Sequence, residues 1–259
     1  MTAAPSDAVT SSAGKPAPFP LVLGLDTFGD VTHDRNDRPL SHAQTIRNVV
    51  EQGVLADQVG ADFFGIGEHH TDDFPMPAAD VVLGAITART ARIRLGSAVT
   101  VLSSDDPVRV FQRFSTLNAV SGGRAEVILG RGSSIDSFPL FGYDLADYDD
   151  LFEEKTELFA ELLKGGPVTW QGKTRASLHE QDVVPHTESG PFPAWIGVGG
   201  SPQSAIRAAR YLTALGANRF DLKYGMRGLS HEALMTNIEL YGTQVIPRVR
   251  ELVTERALP

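Results

Sequence analysis

The 259-residue sequence contains no cysteine, which excludes disulfides, thiolate zinc sites and cysteine nucleophiles together. It has no apolar stretch approaching the ~20 residues that cross a bilayer as a helix, so no membrane partner is expected. It also lacks a long basic run. Against 23 Lys and Arg stand 32 Asp and Glu, a formal net charge of −9, which argues against nucleic acid as the main partner. The first 20 residues are rich in Ala, Ser and Pro but have no apolar signal core. A disordered tail is expected there, followed by one domain over 21–259 and, by default, a cytoplasmic location. What is present is ordinary for a folded chain: 42% hydrophobic and 21% charged residues, enough to bury a core without a structural metal.

From Leu21 onward, short apolar runs alternate with longer stretches of helical period. Strands are expected near residues 21–25, 61–67, 93–102, 125–130, 194–198 and 220–224. Between them, helices are expected over 41–59, 78–89, 107–120, 147–164, 202–215 and 231–252. The punctuation agrees: Ser41 and Asp106 are N-cap residues, Pro107 is a natural first helical residue, and Gly60 and Gly122 are natural stops. Such alternation implies parallel strands joined by right-handed helical crossovers. One α/β barrel is favoured, with an open doubly wound sheet as competitor. Only six of eight barrel strands are visible, and the Gly/Pro-punctuated stretch 165–193 reads as a hairpin or a seventh strand. Glu153-Glu154-Lys155 reads as a solvated helix face.

In parallel barrels, ligands bind where the strands end and the following loops gather. After the second strand stand Glu68, His69 and His70. Paired imidazoles beside a carboxylate suit proton transfer near neutral pH, with metal binding or simple packing as rival readings. Arg131 lies between glycines after the fourth strand, and Gly199-Gly200-Ser201 precedes a helix opened by Pro202. Together they resemble the halves of an anion site, although a tight strand-to-helix turn explains the second half equally well. No other group of residues has metal-ligand spacing, and no metal is expected.

The run Ala61-Asp62-Phe63-Phe64-Gly65-Ile66-Gly67-Glu68-His69-His70, then Ile93-Arg94-Leu95-Gly96-Ser97-Ala98-Val99, resembles the bacterial luciferase-like flavin monooxygenases. The likeness continues through Asp106-Pro107-Val108-Arg109, Ser121-Gly122-Gly123-Arg124 and Gly130-Arg131-Gly132. It implies a TIM-like (β/α)8 barrel that takes FMN, used as reduced FMN from a separate flavin reductase, and reacts with dioxygen and a small organic substrate. It also implies a homodimer. By position, His69 matches the family's catalytic histidine, with Glu68 and His70 beside it. Arg131, Gly200 and Ser201 match contacts to the flavin phosphate, with Gly199 beside them in the same turn, and Ala98–Val99 matches a non-prolyl cis peptide under the flavin ring. The family's reactive cysteine position is Gly130 here. After Arg210 the sequence departs from the pattern, as though one βα unit and the lid insertion near residues 210–215 were missing. That departure keeps a non-catalytic flavin-binding protein open as an alternative, ahead of a deazaflavin-dependent oxidoreductase or a metal-dependent barrel hydrolase.

Overall fold

The computed structural model describes residues 22–132, 134–197, 219–225, 229–248 and 250–251. The expected N-terminal tail, the 202–215 helix, Gly199, Gly200, Ser201 and the junction at Arg210 lie outside the described residues.

In chain order, β1 (Val22–Thr27) leads through α1 (His42–Gln58) to β2 (Phe63–Ile66), and a hairpin of β3 (His69–Thr71) and β4 (Phe74–Met76) precedes α2 (Ala79–Thr87). Next come β5 (Arg94–Ser97), β6 (Thr100–Val101), α3 (Pro107–Ser121) and β7 (Ala125–Gly130). The chain continues through α4 (Ser137–Phe141), α5 (Tyr148–Leu163), a second hairpin of β8 (Val168–Trp170) and β9 (Leu178–Gln181), and β10 (Ala194–Ile196). The last described elements are β11 (Arg219–Lys223) and α6 (His231–Leu240).

The main sheet has the order β10-β7-β5-β2-β1-β11, and each neighbouring pair is parallel. All six strands expected from the apolar runs are therefore present. Among the described residues β10 and β11 do not pair, so the six strands form a barrel wall that is not closed. All four residues of β2 are buried, as a strand covered on both faces requires. Helices α1, α2, α3 and α5 pack Val49, Ile86, Phe114 and Phe159 into the same core as Leu25, Phe64 and Leu95.

The caps act as expected. Ser41 Oγ accepts from Gln44 N at 3.2 Å, and Asp106 Oδ1 accepts from Val108 N and Arg109 N at 2.9 and 3.1 Å. Gly122 ends α3 with φ +66°, a left-handed conformation that glycine adopts without strain. Arg124 then donates to the carbonyls of Thr87, Thr90, Ile93 and Ser121. It ties the ends of α2 and α3 to the start of β5, so this motif arginine serves the end of the barrel opposite the strand C-termini.

Three expectations are corrected and one choice between alternatives is decided. The 93–102 strand is two strands, interrupted at Ala98–Val99, whose peptide bond is cis. Of the two readings of the 165–193 stretch the hairpin holds, since β8 and β9 pair antiparallel. The final helix does not run unbroken, because α6 passes into a π-turn at Tyr241–Val245, where Gly242 packs closely against Val59. Lys155 is not on a solvated face: it is 2% exposed, and its Nζ donates to Ser103 O at 2.7 Å and lies 4.1 Å from the centre of the Tyr143 ring. Burial lowers its pKa to about 8, against the opposing pull of Asp105, Asp106 and Glu154.

Candidate active site

A cavity of about 310 Å³ opens where the C-terminal ends of β1, β2, β5, β7 and β10 meet. It receives Phe28 from the first strand end, Glu68, His69 and His70 from the second, Ala98 and Val99 from the third, Arg131 from the fourth and Gly197 from the fifth. Six of the nine residues singled out from the sequence thus share one space, and the other three lie outside the described residues.

The histidines do not close β2 itself. They form β3, which pairs His69 with Met76 and His70 with Pro75. Alternation along this short strand sends the two rings to different neighbours. His70 Nε2 lies 2.9 Å from Glu68 Oε1, and Glu68 Oε2 accepts from Val101 N at 2.9 Å. Because a carboxylate only accepts, this pair assigns the His70 proton to Nε2. His69 instead packs its ring 4.7 Å from Phe28 and 5.1 Å from Phe74. Burial pushes the His69 imidazole below its ordinary value of 6.5, with Asp30 and Asp136 opposing and His70 and Lys223 assisting. His69 is therefore neutral at pH 7.

That shift carries a testable consequence. As pH falls below 6.5, the unfolded chain takes up a proton at His69 before the folded chain does. The associated stability is complete above 6.5 and is lost as pH drops through the depressed folded value. Urea denaturation of the native chain and of His69→Phe, repeated down this range, should show the native chain losing stability more steeply. Parallel pH profiles would remove the burial effect.

The Ala98–Val99 wall of the cavity is built from backbone and adjoins Glu68, whose N–H donates to Val99 O at 2.9 Å. A Cβ at Gly130 would lie 2.5 Å from Val99 Cγ2, and one at Gly197 would lie 2.5 Å from Val99 Cγ1. A Cβ at Gly65 would lie 2.7 Å from Ala98 Cβ, and one at Gly67 2.9 Å from Ala98 O. Four glycines from three strand ends therefore clear the space in which Ala98–Val99 sits. The lack of a thiol at position 130 has a local reason, since any side chain there would displace Val99. This smooth, largely apolar shelf has the shape and chemistry to accept a planar ring, and so fits a flavin.

Arg131 lies at the rim. Its guanidinium pairs with Asp149 in the first turn of α5 and stacks 4.9 Å from the centre of the Tyr148 ring. Asp149 is 62% exposed, so this pair contributes little to stability. Sequence reasoning missed three other features near the cavity. Lys223 bonds Asp30 Oδ2 at 3.3 Å and Gly225 O at 2.7 Å, 4.6 Å from the centre of the Phe28 ring. Phe152 and Tyr148 line the cavity from α5, and Ser137 lines it from α4. Among the described residues no three His, Asp or Glu side chains converge as a metal-ligand set, and no helix is long and apolar enough to cross a membrane.

A model of the luciferase-like monooxygenases matches residues 27–229. The chain belongs to that family. N-acetyl-S-alkylcysteine monooxygenase of Bacillus subtilis is 30% identical over 65% of this chain and 49% of its own length. An F420-dependent glucose-6-phosphate dehydrogenase of Amycolatopsis mediterranei is 26% identical over 60% of this chain and 48% of its own length. The chain spans about half the length of these curated relatives. Among solved structures, the oxygenating component of 3,6-diketocamphane monooxygenase from Pseudomonas putida, in complex with FMN, superposes with a TM-score of 0.63. It is 18% identical, and the match covers 87% of this chain and 63% of that one. The barrel-type fold expected from the motifs is therefore that of this luciferase-like chain.

Proposed function

We propose that this luciferase-like chain binds FMN and works as a two-component monooxygenase, receiving reduced FMN from a separate reductase and oxygenating an organic substrate. The observation that carries the reading is the Ala98–Val99 shelf, cleared by glycines and lining one cavity together with Glu68, His69 and His70. Ala98 and Val99 would support the ring. Arg131 would hold the phosphate, with Gly199, Gly200 and Ser201 completing the contact as the family likeness implies. When bound, reduced FMN supplies the electrons that activate dioxygen for transfer of one oxygen atom to the substrate.

The chain's own residues handle position, water and protons. Phe28, Val99 and Phe152 make the cavity largely apolar and limit water near the reacting atoms. Neutral His69 is able to accept a proton at pH 7, and its two aromatic neighbours hold the ring in place. Glu68 fixes the His70 ring and its tautomer. A cytoplasmic homodimer completes the reading. Its contact would form through α2 and α3, which expose Val81 (69%) and Val120 (64%) beside a groove reaching Gly84.

The F420-dependent relative favours a second reading, a deazaflavin oxidoreductase. F420 carries a longer anionic tail, and Arg131 is the one Lys or Arg among the described residues that line the cavity. This favours FMN. Titrating the chain separately with FMN and F420, followed by ligand fluorescence, should give saturable binding of FMN and much weaker binding of F420. The reverse preference would replace the monooxygenase reading with the deazaflavin one. Saturable FMN binding without substrate-dependent oxygen uptake, when a reductase supplies reduced FMN, would favour a flavin-binding protein.

A further inference from the structure

We propose that Lys223 is a positioning residue for His69: paired with Asp30, it offsets that carboxylate and, through the Phe28 ring, fixes the surface against which the imidazole packs. The sheet order β2-β1-β11 brings these residues together. Lys223 ends β11 on one side of β1, His69 follows β2 on the other, and Phe28 and Asp30 follow β1 between them. Lys223 Nζ lies over the Phe28 ring, 4.6 Å from its centre, a distance at which a cation and an aromatic face attract. The Phe28 and His69 ring centres are 4.7 Å apart. The ammonium and the imidazole therefore share one aromatic neighbour, and Phe28 is also a wall of the cavity.

Asp30 is what makes the cation matter. Its side chain is 4% exposed, and its Oδ2 lies 3.3 Å from Lys223 Nζ, which also donates to Gly225 O at 2.7 Å. A buried carboxylate near an imidazole favours the protonated ring, and a protonated ring cannot accept a proton. After burial itself, Asp30 is the strongest influence on His69, and Lys223 acts against it. The other charged neighbours, His70 on the same hairpin and Asp136 just before α4, also act in opposite directions. Glu68 uses its two oxygens on His70 and Val101. With Asp30 offset by Lys223, burial decides the matter and the ring stays neutral. The inference deepens the reading of His69 as the proton acceptor of a flavin site, and rests on it.

The test follows the His69 ring by NMR titration of the histidine-labelled chain, with His69→Phe identifying its signal. The native midpoint should lie below 6.5. At roughly 9 Å, the longest separation that the two ring distances allow, a unit charge moves a titration by about half a unit to one unit. Lys223→Met should raise the midpoint by that amount and Asp30→Asn should lower it. The double variant, which loses both charges, should return close to native. Lys223→Arg keeps the charge and the contact with the ring, and should titrate as native does. The through-space signal between the Phe28 and His69 rings should persist in Lys223→Arg and weaken in Lys223→Met. A pair that served only to join β11 to the loop after β1 would lower the melting point of Lys223→Met and leave the titration unmoved, which overturns the inference. So do midpoints that move the same way in both single variants. Lys223→Met leaves a buried carboxylate unpaired and risks poor folding. Asp30→Asn and the double variant then carry the test, and an unmoved midpoint in Asp30→Asn overturns the inference. If the native chain binds no FMN, the flavin reading fails, while the His69 titrations remain measurable on the chain alone.

Discussion

Replacing Glu68 with alanine is expected to lower the unfolding free energy by about 3 kcal/mol, since two buried donors lose their acceptor at once. The side chain is 11% exposed and that of His70 8%, so solvent does not readily take its place. His70 Nε2 and Val101 N each lose a 2.9 Å partner. Part of the cost is returned because a carboxylate need no longer be desolvated. Glu68→Gln should cost less, about 1 kcal/mol, because its amide oxygen still serves one of the two donors. Urea denaturation measures both, and for a chain of this size the alanine variant should melt on the order of 10 °C lower. An alanine variant within about 0.5 kcal/mol of native, the range of ordinary surface changes, would mean that water or rearrangement supplies the missing acceptor. The same pair bears on function. Without Glu68 the β3 hairpin loses its bond to the β6 backbone, and His70 loses the partner that sets its tautomer.

The second large effect concerns the rim. Arg131→Ala should weaken FMN binding about 100-fold, since a charge-assisted fork to a phosphate is among the strong hydrogen bonds of proteins. The fold should hardly notice, because the ion pair with Asp149 is half-solvated. Asp149 gives the test a second arm of opposite sign. It is an anion already occupying the guanidinium, and a phosphate must share or displace it. Asp149→Asn should therefore tighten FMN binding several-fold. Riboflavin, which lacks the phosphate, should bind native, Arg131→Ala and Asp149→Asn chains alike. If Arg131→Ala weakens riboflavin as much as FMN, Arg131 acts on the ring or on the loop rather than on the phosphate.

The barrel wall was legible because each parallel strand is a short apolar run buried on both faces, and the helices between carry period and caps. The site was legible for a related reason. Strand ends in such folds are where ligands meet, and Glu68, His69, His70, Ala98, Val99 and Arg131 all follow strands. Features that depend on contacts between distant segments were not legible. Residues His69–Thr71 and Phe74–Met76 are too short and too mixed to announce a hairpin, and Pro75 weighs against a strand. The pairing of Arg131 with Asp149 joins residues 18 apart through the entry of α5, which no local pattern encodes. Lys155 left a signal that charge alone obscured. It lies four residues after Leu151, three before Leu158 and four before Phe159, squarely on the buried stripe of α5.

The glycines around Ala98–Val99 divide the cavity into two walls of very different mutability. On the shelf side, side chains at 65, 67, 130 and 197 would collide with the segment they flank, so substitutions there disturb the main chain before they can alter selectivity. On the α4 and α5 side the cavity is lined by the side chains of Ser137, Tyr148 and Phe152, whose exchange alters the lining without driving a new Cβ into the Ala98–Val99 main chain. Divergence in ligand preference, natural or engineered, therefore has one direction in which to proceed. The shelf acts as a fixed datum, and new specificities are written on the helical wall facing it.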